Sequence, residues 1–133
     1  FAEAFGESPI EILKGTDDFL AVFENEQQIQ AMNPDFTKLA KINSRGVVIS
    51  APGNDVDFVS RCFFPQTGID EDPVTGSAHT MLIPYWAKQL DKIQFKAHQL
   101  SARGGVLDCN LINDRVLISG KSVIYFEGMI SII

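Results

Sequence analysis

Two cysteines, two histidines and one tryptophan are all that this 133-residue chain holds of those residue types, and its acids outnumber its bases. Each scarcity excludes something. Cys62 and Cys109 have no Cys or His at CxxC distance, so zinc-type ligand spacing is absent. They sit in Val59–Phe64 and Val106–Cys109, apolar stretches in which they read as reduced core thiols. Unpaired thiols fit a reducing compartment, and the chain is expected to be cytoplasmic. Eleven Lys and Arg against 17 Asp and Glu give a net charge of −6. An acidic chain repels phosphate backbones, which argues against nucleic-acid binding. Apolar runs such as Met129–Ile133 fall far short of the roughly 20 residues that cross a bilayer, so no membrane role is expected. No secretory segment opens the chain. It begins with Phe1 rather than Met, which raises the expectation that it is a piece of a longer protein.

What remains has ordinary globular composition, 45% hydrophobic and 21% charged, and reads as a single domain over residues 1–133. A chain near this size buries roughly two-thirds of its unfolded surface, enough for one core. Ile10–Leu13 reads as a strand ended by Gly15, and Phe19–Phe23 as a second strand covered on both faces. Glu24–Met32 suggests a short helix, and Asp35 can cap another over Phe36–Ile42. Gly46–Ser50 and Val56–Phe64 read as strands around the turn Ala51–Asp55. Pro65–Gly76 reads as a loop. In Ser77–Leu90 apolar residues recur at steps of three and four, predicting a helix buried nearly all round and kinked at Pro84. Ile93–Leu100, Gly105–Ile112, Arg115–Ser119 and Ser122–Ile133 then read as a β-meander. The expected fold class is α+β, a twisted, mostly antiparallel, barrel-like sheet around a central helix.

The loop Gly68–His79 is where composition stops explaining the sequence. Asp70, Glu71 and Asp72 stand in a row, and Thr75 and Ser77 bracket Gly76 at the start of the helix. A helix start carries unpaired N–H groups and partial positive charge. A glycine there admits a ligand close to the backbone, which makes a pocket for a carboxylate or phosphate. Asp72 beside it could orient a substrate amine or a proton-transferring group. The plainer alternative is that Thr75 or Ser77 simply caps the helix while the acids favour its N-terminus. His79 reads as a packing residue rather than a ligand or base. Arg61 and Arg103 read as surface or loop-bracing ion-pair partners, and His98 has no evident role.

The run Arg61–His79, with Glu71-Asp72-Pro73-Val74-Thr75-Gly76-Ser77 at its centre, resembles the signature of the PhzF-like family, the phenazine-biosynthesis-type isomerases. Pro84-Tyr85-Trp86, Gln99–Gly105 and Arg115–Gly120 are similar to the same family. The resemblance is weak before Arg45 and strong from Phe58 on. It implies one half of a diaminopimelate epimerase-like fold, in which two similar lobes each wrap a sheet around a helix and share a cleft. It also implies a cofactor-free proton shift on a small carboxylate-bearing substrate, such as a dihydro-hydroxyanthranilate. Asp72 would then be an acid/base carboxylate. Ser77, with Thr75 and Gly76, would hold the substrate, and Ser77 would share in catalysis. The family's proton-shuttling Glu and its paired His come from an N-terminal half with a Gly-Asn-Pro turn. The only Asn-Pro here is Asn33-Pro34, without that glycine.

The chain is therefore expected to be the C-terminal domain of such an isomerase or epimerase, inactive alone, whose partner is the missing N-terminal half or a second copy. An alternative is a non-catalytic binding or protein-interaction module using the exposed cleft face. A cysteine-dependent racemase is a third reading. The family's racemase relatives carry a cysteine at the helix start, where Ser77 stands here.

Overall fold

The computed structural model describes residues 1–132. The chain runs α1 (Ala2–Phe5), β1 (Glu11–Lys14), β2 (Asp18–Val22), α2 (Glu26–Ala31), α3 (Phe36–Leu39), β3 (Gly46–Pro52) and β4 (Phe58–Phe64). It continues with a 3-10 turn at Pro65–Thr67, then β5 (Ile69–Asp72), α4 (Gly76–Leu90), β6 (Gln94–Gln99), β7 (Gly105–Ile112) and β8 (Arg115–Gly120). Local chemistry sets several boundaries. The side chains of Asn25 and Asp35 accept the backbone N–H groups of Gln28 and Lys38, at 3.0 and 3.1 Å, and so start α2 and α3. Asn113, at φ 53°, turns the two-residue connection between β7 and β8.

The strands form one sheet in the order β1-β2-β3-β4-β6-β7-β8, with β5 paired to β4. Neighbours are antiparallel except β2 with β3 and β4 with β6, which are parallel. Parallel neighbours need a crossover. The β2–β3 crossover contains α2 and α3, and the β4–β6 crossover contains α4. Each crossover covers one face. Ala78, Leu82, Ile83 and Trp86 of α4 are buried with Leu20, Val48, Phe58, Cys62, Phe95, Ala97 and Leu107. Leu13 of β1 and Val116 and Ile118 of β8 pack against the same cluster, so the sheet curls around α4 from edge to edge. Trp86 stacks on Phe58 with ring centroids 5.6 Å apart and planes 7° apart, and its indole N–H donates to Ser50 Oγ at 3.0 Å. On the far face α1, α2 and α3 bury Phe5, Ile29 and Leu39 against Ala21, Val47, Ile49, Val59 and Phe63. β2 is therefore covered on both sides, as its unbroken apolar run predicts.

Four expectations need correction. The sheet curls but does not close into a barrel, because β1 and β8 are edges with one neighbour each among the described residues. The helix α4 is not buried all round: Ser77, Thr80, Pro84 and Lys88, at steps of three and four, form an exposed stripe. Pro84 lies within it, and its missing N–H would have served Thr80 on that exposed side. The Pro65–Gly76 loop contains β5, which antiparallel pairing to β4 holds in place. Lastly, Ser122–Ile132 forms no strand pairing among the described residues. Val123 and Tyr125 are 90% and 98% exposed, and Ile133 lies outside the described residues. Among the described residues no helix is long and apolar enough to cross a membrane.

Candidate active site

Three adjacent acids would repel one another in a plain turn. β5 sets Glu71 apart from its two neighbours, because successive side chains of a strand point to opposite faces. Asp70 is exposed. The Glu71 carboxylate receives the Arg61 guanidinium at 2.7 and 3.0 Å, and the same guanidinium donates to the Met32 and Ile29 carbonyls at 2.6 and 3.2 Å. Arg61 thus ties β5 to the end of α2, as its bracing reading predicts, and occupies Glu71. That leaves Asp72. It stands at the end of β5 opposite Cys62 and is half-buried.

Thr75 occupies the cap position of α4, yet no side chain caps that helix. The Thr75 hydroxyl donates instead to Asp72 Oδ2, at 2.5 Å. The Thr75 amide donates to Gln99 Oε1 at 2.8 Å. The first-turn N–H groups of α4 therefore face outward without a side-chain acceptor. Space is open above them: a Cβ added at Gly76 would meet nothing within 4 Å, and Ser77 is exposed. Ser77 and Thr80 border a groove of about 520 Å³. Its other wall carries Arg45, whose Nε donates to Asp18 Oδ1 at 2.9 Å and whose terminal nitrogen pairs with Oδ2. The hydrogen bonds to Asp18 raise the Arg45 pKa, and Asp17 lines the same groove.

The predicted site residues thus fall into two adjoining groups. Asp72 and Thr75 are bonded to each other. Gly76 and Ser77 follow at the open helix start, and the groove that Ser77 borders is not lined by Asp72. Arg103 lies elsewhere, on a groove of about 810 Å³ between Val74 and the β7–β8 hairpin, and forms no ion pair among the described residues. Sequence reasoning passed over Gln99 as a site residue. It is fully buried in a run that otherwise alternates, and a polar residue at a core position was the available signal.

His79 packs, as expected. It is fully buried, and Nδ1 lies 2.9 Å from the Thr75 carbonyl. A carbonyl only accepts, so Nδ1 carries the proton, and Nε2 has no partner among the described residues. Burial lowers the His79 pKa, against a smaller opposite pull from the Thr75 carbonyl. The cysteines also stay protonated. Burial pushes the Cys62 thiol up to about 12, despite its contact with the Thr75 hydroxyl, and Cys109 up to about 11. Neither offers a thiolate at neutral pH, so the cysteine-racemase reading finds no support. Among the described residues no group of three or more His, Cys, Asp or Glu side chains could hold a metal ion.

The curled α+β lobe thus presents a carboxylate and an uncapped helix start at one margin. The profile of the phenazine biosynthesis-like protein family (PhzC-PhzF) matches residues 2–128, and the chain belongs to that family. It is 49% identical over 128 residues to an uncharacterized isomerase of Pseudomonas aeruginosa, covering 96% of this chain and 49% of that protein. It is 42% identical over 123 residues to an uncharacterized isomerase of Halalkalibacterium halodurans, covering 91% and 46%. The crystal structure of a PhzF-family phenazine biosynthesis protein from Enterococcus faecalis superposes with a TM-score of 0.90 at 41% identity, covering 94% of this chain and 48% of that one. The chain spans about half the length of the curated relatives it matches.

Proposed function

We propose that this chain is the C-terminal lobe of a PhzF-like isomerase or epimerase and supplies one wall of its active cleft. The reaction is a cofactor-free proton shift on a small carboxylate-bearing substrate. One base takes a proton from carbon beside an electron-withdrawing group, and an acid returns one elsewhere, so no electrons leave the substrate. The open start of α4, at Gly76 and Ser77, receives the substrate carboxylate, with its unpaired N–H groups and positive dipole end. Those donors also oppose the negative charge that develops as the proton leaves. Asp72 is the carboxylate of the acid/base network: Thr75 fixes one oxygen, and the other has no protein partner among the described residues. Proton shifts need a paired acid and base near working pH. The second group comes from the absent lobe, so the chain alone is inactive.

One observation carries this reading: the Thr75 hydroxyl bonds Asp72 rather than capping α4, which leaves the helix start free. Anthranilate, an aromatic carboxylate with an adjacent amine, tests it by NMR titration of the chain. Shifts should concentrate at Gly76–Ala78, and Ser77→Ala and Asp72→Asn should each weaken binding several-fold. Undiminished binding by both variants would count against the reading. The partner is the other lobe or a second copy. A second reading, a non-catalytic interaction module, draws on the exposed apolar segment Val123–Ile132. It predicts association that is indifferent to Ser77 and Asp72.

A further inference from the structure

Gln99 closes β6 beneath the Asp72–Thr75 loop and is fully buried. An amide has one acceptor oxygen and two N–H donors, and here every one is used. Oε1 accepts the Thr75 N–H at 2.8 Å, while Nε2 donates to the Asp72 carbonyl at 2.7 Å and to Thr75 Oγ1 at 3.2 Å. The amide cannot be flipped, because a carbonyl only accepts and a backbone N–H only donates. The consequence reaches the carboxylate. A Thr75 hydroxyl that accepts from Gln99 must aim its own hydrogen elsewhere, and Asp72 Oδ2 lies 2.5 Å away.

The neighbouring chain is shaped to the same loop. Ser101 Oγ donates to the Pro73 carbonyl at 2.7 Å. Gly105, the register partner of Gln99, lies so close to the loop that an added Cβ would stand 2.3 Å from Val74 Cγ2. The segment Gln99–Gly105 is a floor on which residues 72–75 rest.

We propose that Gln99 is a positioning residue: it orients the Thr75 hydroxyl toward Asp72 and thereby sets the carboxylate used in the proton shift. The catalytic meaning of this clamp rests on the function proposed above; the clamp itself does not. NMR on the full chain tests it at Thr75. In Gln99→Met, which keeps the bulk and removes the amide, exchange of the Thr75 N–H should quicken by about tenfold. The Thr75 χ1 coupling should fall to a rotamer-averaged value, while amides of the β6–β7 ladder keep their protection. Gln99→Glu keeps an acceptor for the Thr75 N–H and loses both donors. It should retain amide protection but not the fixed rotamer, a split that a general packing role would not produce. Should Gln99→Met fail to fold, Gly105→Ala decides, because pushing Val74 lifts Thr75 from Gln99 and should give both Met-like effects. Wild-type Thr75 exchange and a single rotamer in the folded variants would overturn the proposal. Anthranilate binding by Asp72→Asn separates the two claims. Undiminished binding there would sink the role of Asp72, while the Thr75 signals still decide the clamp.

Discussion

At position 75 a threonine precedes a helix and has the side chain to cap it, yet its hydroxyl serves Asp72 at 2.5 Å. Capping would use a lone pair of that hydroxyl; Gln99 Nε2 donates to one lone pair, and the hydroxyl hydrogen goes to Asp72. That Asp72, Thr75, Gly76 and Ser77 stand together was legible in the sequence because they lie within six residues. Gln99 was not, because its partners lie 24 and 27 residues away and only β6 pairing brings them together. His79 yields a pH prediction. Its pKa is depressed in the folded chain from the ordinary 6.5, so above that value it adds no pH dependence. Below 6.5 the unfolded chain binds a proton that the folded chain refuses. Stability should therefore fall with pH until the lowered folded value is reached, by at most about 1.4 kcal/mol per pH unit. Urea melts between pH 7.5 and 5 should show this slope, and His79→Gln should flatten it. Parallel curves for the two proteins would contradict the assignment.

Elements were legible where periodicity was strong and failed where a partner decides. The three-four spacing of Ala78, Met81, Leu82, Tyr85 and Trp86 gave α4, and Asp35 marked the start of α3. The exposed stripe on α4 was hidden because Met81, Tyr85 and Ala87 widen its apolar pattern while only half-buried. β5 escaped notice because an acidic strand lacks a hydrophobic signature and owes its existence to β4. Ser122–Ile132 is the converse case. Its Val, Ile, Tyr and Phe have strand propensity, but a strand forms only against an edge, and the chain leaves this one bare. Truncation after Lys121 should therefore leave the thermal midpoint unchanged, since little is buried by the tail. It should also abolish any concentration-dependent rise in mass measured by light scattering. A lowered midpoint would mean that the tail packs on its own lobe.

For the whole molecule, buried clusters lie on both faces of the sheet, and under the proposed function the site still needs a second lobe. α4 buries one face against the sheet and turns Ser77 and Thr80 outward, where a second lobe would close over them. Barrel closure could not be read from sequence, because whether edges meet depends on the accumulated twist and register of every strand between them. The relatives are about twice this length, which fits the proposal that a second lobe supplies the other proton carrier. Under the proposed function this lobe holds half of a proton-shift site. Deuterium incorporation from D2O into a dihydroaromatic acid or an amino acid measures it most directly. The chain alone should incorporate none. Mixed with the complementary half of the Pseudomonas aeruginosa relative it should incorporate deuterium, and Asp72→Asn should abolish that exchange. Robust incorporation by the chain alone, or undiminished exchange by Asp72→Asn in the mixture, would contradict the account.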